Sequence, residues 1–418
     1  KVNDQNAAEL KSGYGELDLT LRTQKETYGD GFAEARLRYG LQGDGTQGTV
    51  VDLREAYVNA YLGPIDLRLG QQIIVWGRAD ALNPTNNLTP VDFRIRSPLE
   101  DDLRLGNAGA RAFLHLAPSL RLEGVWMPIY LPTELPAVAL PQYVSYGAPT
   151  FPSVNLKNGT EGVRLHLERA AFDMSVSYVH GFAPLPGLTM SQLTLTADPN
   201  TGAADPNNPP SIVISRTAYQ QQVLGGDFST TLGEFGTLRG EVAYRRPYDW
   251  DGPADHHVAY PDLQYVVGAD HAFGPLSVIA QYMGRYVFDW QQQSGPSMTT
   301  LNPAVLPTIS DTTLVTSFVN AVLAKDNQIL FSQTARVQHL GTLRFEWLAL
   351  HETLSISSLC LFNFTTHEWL VTPRIAYRLS DAMTAYVGAQ VFHGPPDTLF
   401  GIVDAELSSG YVELRYTF

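Results

Sequence analysis

The segment Tyr411-Val412-Glu413-Leu414-Arg415-Tyr416-Thr417-Phe418 alternates apolar and polar residues without a break. Successive side chains of a β-strand point to opposite faces, so Val412, Leu414, Tyr416 and Phe418 share one face and Glu413, Arg415 and Thr417 the other. A strand with an uninterrupted apolar stripe is an aggregation hazard unless it closes a sheet. The rest of the chain has the pattern to supply that sheet.

The same two-residue period recurs from end to end. Leu17, Leu19 and Leu21 oppose Glu16, Asp18, Thr20 and Arg22; Ala33, Ala35, Leu37 and Tyr39 oppose Glu34, Arg36 and Arg38. Leu67 and Leu69 flank Arg68, Ala110 and Ala112 flank Arg111, Leu120 and Leu122 flank Arg121, and Val163 and Leu165 flank Arg164. Later, Leu238 and Val242 oppose Arg239 and Glu241, Leu343, Phe345 and Trp347 oppose Arg344 and Glu346, and Ile375, Tyr377 and Leu379 oppose Arg374 and Arg378. A β-sandwich also alternates, but the connections point elsewhere. Short links such as Gly63-Pro64, Ala117-Pro118-Ser119, Gly274-Pro275 and Ser380-Asp381 take turns with long ones over residues 77–107, 129–159, 182–216, 290–328 and 394–409. Short turns at one end and long loops at the other are the up-and-down plan of a membrane barrel, whereas repeated long structureless loops count against a compact soluble domain.

Composition agrees. Tyr 20, Phe 18 and Trp 6 favour strands, Gly 35 and Pro 27 supply turns, and amphipathic helical stretches are scarce. No run of about 18 apolar residues offers a transmembrane helix. A single cysteine, Cys360, rules out an intrachain disulfide and reads as a small apolar filler of a strand. A net charge of −14 argues against nucleic acid as a partner. Lys1-Val2-Asn3-Asp4 lacks the apolar core of a signal peptide, so the chain is expected to be a processed form.

The terminal segment resembles the last strand of bacterial outer-membrane β-barrels, whose final residue is typically an aromatic read by the barrel-assembly machinery. Tyr416 and Phe418 would carry that signal. Leu67-Arg68-Leu69-Gly70-Gln71-Gln72-Ile73-Ile74-Val75-Trp76-Gly77, followed by Asp80, Asn83-Pro84 and Pro90, resembles a stretch of the proteobacterial alginate-export and porin-like families. There, a strand leads through Trp-Gly into a long loop rich in Asn, Pro and Asp. The resemblance implies residence in the outer membrane of a Gram-negative bacterium, among lipid and lipopolysaccharide, and leaves the substrate open.

The expected architecture is all-β: residues 1–418 form one transmembrane antiparallel up-and-down barrel with short periplasmic turns and long extracellular loops. Seventeen strand candidates can be counted, and an even barrel requires 18, with one further strand near residues 2–10, or 16. A short loop helix is expected over 311–326, where Leu314, Phe318, Ala321 and Val322 have helical spacing.

The polar faces give the candidate pore lining: Arg22, Arg36, Arg38, Arg68, Arg111, Arg121, Arg164, Arg239, Arg344, Arg374, Arg378 and Arg415, with Glu34, Glu123, Glu241, Glu346 and Glu413. These charges suit a water-filled passage for a polar solute, or serve as cross-strand ion pairs holding the staves together. Asp249, Asp251 and Asp255, near His256-His257, have the spacing of a weak metal loop but lack the terminal Glu of an EF-hand, so a solvated loop is the plainer reading. No G-x-S-x-G, Walker loop, H-E-x-x-H or C-x-x-C is present, and neither an enzyme nor a cofactor is expected. The function expected is passage of a polar or charged solute or polymer, passive or coupled to export. The alternative is a plugged or scaffold barrel that houses or docks a periplasmic or surface partner protein.

Overall fold

The computed structural model describes every residue except 1–8, 24–27, 44, 96, 98, 137, 196–210, 253–256 and 302–311. The first half contains β1 (Gly13–Arg22), β2 (Gly29–Leu41), β3 (Gln47–Leu62), β4 (Ile65–Gln72), β5 (Asn107–Ala117), β6 (Leu120–Met127), β7 (Val144–Tyr146), β8 (Thr160–Glu168), β9 (Phe172–Phe182) and β10 (Gly187–Thr194). Next come β11 (Ser211–Thr217), β12 (Gln220–Thr231), β13 (Thr237–Pro247), β14 (Asp262–Phe273), β15 (Leu276–Val287) and α1 (Thr312–Leu330). The chain finishes with β16 (Val337–Ala349), β17 (Leu354–Asn363), β18 (Trp369–Ser380), β19 (Met383–His393), α2 (Leu399–Leu407) and β20 (Ser409–Tyr416).

Seventeen of these strands form one antiparallel sheet, each paired with its successor once β7, β10 and β11 are set aside. Its two edges are drawn together. Lys11, just before β1, pairs with Glu406 in α2 at 3.3 Å, and Asp102 pairs with both Arg36 on β2 and Arg415 on β20. The sheet thus rolls into a barrel whose seam lies between β1 and β20. With seventeen strands in antiparallel succession these two point the same way, and the eighteenth strand expected near residues 2–10 falls mostly on residues 1–8, outside the described residues. The alternative of 16 does not accommodate the strands seen.

Register fixes the two faces. Asp18 lies opposite Arg36 and Glu16 opposite Arg38, while Leu17 faces Leu37, so charged and apolar rows stay separate from strand to strand. The outward rows end in an exposed apolar belt that includes Leu165, Val176, Leu343, Ile375 and Leu414, the surface that suits hydrocarbon. Cys360 stands in an outward row between Leu343 and Val371, as an apolar filler would. Gly70 has φ +134°, and a Cβ there would stand 2.7 Å from the Tyr57 Cα, so this strand position admits no side chain without displacement.

The long connections are themselves folded. β10 pairs antiparallel with β11, and β11 parallel with β7, making a small sheet outside the main one. Helix α1 lies on it through Val315, Val319, Val322 and Leu323, which bury against Val144, Ile212, Ile214, Met298 and Leu301. The expected helix is therefore present and packs on the loop end of the barrel, but its seam is shifted: Leu314 is exposed at 54% and Ala321 also faces out. The stretch 182–216, expected to be loop, contains two strands, and α2 was likewise not anticipated.

Candidate functional site in the barrel interior

Residues 73–106 leave β4 and turn into the barrel instead of covering its mouth. Trp76, fully buried, leads the way. Its indole packs where Gly162 leaves room, since a Cβ at Gly162 would lie 2.7 Å from the ring. Around it Ile74 and Leu88 meet the inward-facing Val125, Met127, Val179, Val223 and Ala243, a dry contact inside an otherwise polar interior. Burying a side chain of this size contributes about 1.5–3 kcal/mol.

Polar fastenings continue around the wall. The Trp76 Nε1 donates to Glu123 Oε1 at 2.9 Å, and Glu123 also accepts from Arg111 Nε at 2.7 Å and pairs with His166 Nε2 at 2.8 Å. Arg78 Nε donates to Asp227 at 2.7 Å, and Asp227 takes a second cation, Arg164, at 2.7 Å and the Ser175 hydroxyl. Glu241 accepts the backbone N–H of Arg78 and Ala79 and the Thr85 hydroxyl, the last at 2.9 Å. Asp80 pairs with Arg344 at 2.7 Å, and Ala81 N–H donates to Gln281 at 3.2 Å. Far along the segment, Asp102 pairs with Arg36 at 3.0 Å, Arg415 at 3.7 Å and Arg54 at 4.0 Å, and accepts the Ser97 hydroxyl. Burial opposes ionisation of Asp102, but the Ser97 hydroxyl and Arg36 outweigh it and hold its carboxyl below the usual range. Contacts with strands from β2 to β20 thus suspend one segment across the interior. Asp227 and Glu123 would be costly buried charges without these cations.

The remaining arginines of the inward face divide by partner. Arg38 pairs with Glu16, Arg121 with Glu168, Arg239 with Asp270, and Arg415 also with Glu413. Arg36 adds Glu34 at 3.0 Å and Asp18 at 3.2 Å. Arg22 lies over the Phe32 ring, and Arg68 over Tyr57 at 3.9 Å while donating to Asn59. Glu346 accepts the Ser355 hydroxyl at 2.7 Å. On β18, Arg374 donates to Ser357 Oγ at 3.3 Å; Arg378 is exposed and makes no ion pair among the described residues. Asp249 and Asp251 flank Trp250, which donates to Asp289 and packs on Tyr260, while Asp255 and His256 lie outside the described residues. Sequence reasoning gave no role to Arg78, Asp102 or Asp227 and placed Trp76 only within the Trp-Gly motif; nothing local marks the other three.

A seventeen-stranded antiparallel sheet rolled into a barrel, apolar outside and charged inside, with one long connection turned inward, has the plan of a porin-like outer-membrane β-barrel. The chain belongs to the family described as protein of unknown function (DUF1302), which matches residues 12–339. Its fold is similar to that of OccAB3 of Acinetobacter baumannii, with 10% identity, a TM-score of 0.51, and cover of 97% of this chain and 92% of that one. OccK10 (OpdN) of Pseudomonas aeruginosa is 10% identical with a TM-score of 0.48, covering 97% and 96% of the two chains. The outer membrane channel DcaP of Acinetobacter baumannii is 9% identical with a TM-score of 0.42, covering 91% and 84%. Likeness at this identity is one of fold. No curated protein matches the chain.

Proposed function

We propose that the protein is a passive channel for polar, preferentially anionic, solutes in the outer membrane of a Gram-negative bacterium. In this reading the pore is narrowed by residues 73–106, Tyr416 and Phe418 are read by the assembly machinery, and lipid and lipopolysaccharide surround the wall. One observation carries the proposal: the inward segment is tied to charged side chains, while Arg378, beside Arg374 on β18, keeps an exposed guanidinium without a carboxylate partner among the described residues. A cation in a narrow, low-dielectric passage focuses its field on passing ions. No catalytic step belongs to this reading.

A second reading follows from the small sheet and α1 at the loop end: a plugged barrel that docks a partner protein. Planar-bilayer recording of the purified protein separates the two. Steady current, with a reversal potential in a salt gradient that shifts toward cations when Arg374 and Arg378 are replaced by Glu, is expected of the channel. The shift should be larger at low salt, where screening is weaker. A silent barrel supports the second reading, and unchanged selectivity in the double variant removes the arginines from the mechanism.

A further inference from the structure

Outward aromatic side chains mark where a barrel wall meets the lipid headgroups. At the short-turn end of this barrel, Phe172, Phe228, Phe273, Trp347, Tyr377 and Tyr416 stand on the outward face of β9, β12, β14, β16, β18 and β20. The belt then stops. On β1 to β6 and β8 the matching outward positions include Leu21, Ala33, Ala60, Ile65, Leu114 and Leu120, and no outward residue in the short-turn half of these strands is aromatic.

The contour of this belt-free face differs too. Elsewhere, outward glycines lie beneath rings: a Cβ on Gly240 would strike Phe228, and one on Gly284 would strike Tyr265. On β5 and β6, by contrast, Ala110, Ala112 and Gly124 are the floor of a groove of about 510 Å³. A Cβ on Gly124 would meet nothing within 4 Å, so no neighbouring side chain of the same copy fills the space above it. Such an open floor lets a second wall come close, and close packing is what drives association inside a membrane.

Extent and depth identify what covers the face. Seven strands about 4.8 Å apart make it roughly 34 Å wide, and an apolar band about 25 Å tall gives it roughly 800 Å². That is the area each partner brings to a stable specific contact. A second copy carries the same aromatic belt on its other strands, so it rides at the same depth and presents an apolar face of the same height. We infer that the outward face of β1 to β6 and β8 is the contact between copies of this chain. The inference rests on the barrel spanning a membrane and not on conduction, so a silent barrel in the bilayer experiment leaves it standing.

The test is the mass of the full chain extracted together with its surrounding lipid by a styrene–maleic acid copolymer. The parent should be an oligomer of this chain alone. Ala112→Trp and Ala33→Trp each place a ring on the face, which a lipid-covered wall accommodates as readily as β9 to β20 do. Each should lower the ratio of oligomer to monomer at least tenfold, whereas Leu343→Trp, outward on β16 and outside the face, should leave it unchanged. Heat-modifiable gel migration checks that the variants have folded, and either of the first two carries the test if the other does not assemble. A monomeric parent overturns the inference, as does an oligomer containing a different chain. So does an oligomer that the folded face variants leave intact, or one that Leu343→Trp breaks equally.

Discussion

Replacing Asp102 by Asn tests whether the inward segment is held by charge at the barrel seam. At an effective dielectric near 20, unit charges at the 3.0 Å separation from Arg36 attract by roughly 5 kcal/mol, and those at 3.7 Å and 4.0 Å, from Arg415 and Arg54, by roughly 4 kcal/mol. Most of this is offset by the desolvation of burying the groups, and removing one side of a buried pair typically costs about 3–5 kcal/mol. Asn keeps an acceptor for the Ser97 hydroxyl, and Arg36 retains Glu34 and Asp18, so the expected net loss is about 2–3 kcal/mol. That raises the population with residues 97–106 detached by about 30- to 150-fold. The Trp76, Arg78 and Glu241 contacts are untouched, so the opening is local. Hydrogen exchange read by mass spectrometry should accelerate in peptides covering 97–106 and not in those covering 76–85, and single-channel current should become noisier. Unchanged exchange in both regions, or an equal rise in both, would refute the latch. Because the Asp102 carboxyl titrates below its usual range, the fastening is complete at neutral pH and is lost as pH falls through that lowered value, below the ordinary Asp range.

The cap responds to pH in the opposite sense. Burial pushes the carboxyl of Asp326, at the end of α1 against Met298, up to about 6, so its neutral form favours the folded cap and that advantage is lost as pH rises from about 4 through 6. Exchange protection of α1 should fall between pH 5 and pH 7.5 by an amount equivalent to roughly 1–1.5 kcal/mol, and Asp326→Asn should abolish the dependence. Deleting Phe418, which is 88% exposed and stacks on Tyr416, should lower the amount of assembled barrel in outer-membrane fractions without reducing synthesis. Immunoblots showing equal assembly would make the terminal aromatic incidental.

The barrel was legible in the sequence because period-two alternation is local: each strand states which residues face out, and a one-residue slip would reverse them all. Glu16 to Arg38 and Leu17 to Leu37 could be assigned to faces before any pairing was known. The cap was only partly legible. The α1 period was visible, but its seam depends on Ile212, Ile214 and Val144, which come from two other loops. The shortness of β7 and the departure of β10 and β11 from the main sheet left no cue to where they pair. The inward turn of residues 73–106 was announced by Trp76-Gly77, yet its partners lie as far away as Glu241 and Arg344, and such long-range fastening carries no local periodicity.

Face alone does not tell which inward arginines shape a field. Arg36, Arg38, Arg374, Arg378 and Arg415 all share the inward face near the seam, and as sequence they read as one cationic stripe. The structure separates them. Arg38 meets Glu16, Arg36 meets three carboxylates, and Arg415 meets Glu413 and Asp102. A matched pair presents a dipole whose potential falls off faster than that of a lone charge, and salt screens what remains. Arg36 and Arg415 are instead committed to Asp102, and so to the position of the segment turned inward after β4. The seam arginines are therefore fastened to carboxylates, whereas Arg378 is exposed and makes no ion pair among the described residues, a division that follows from partners rather than from pattern.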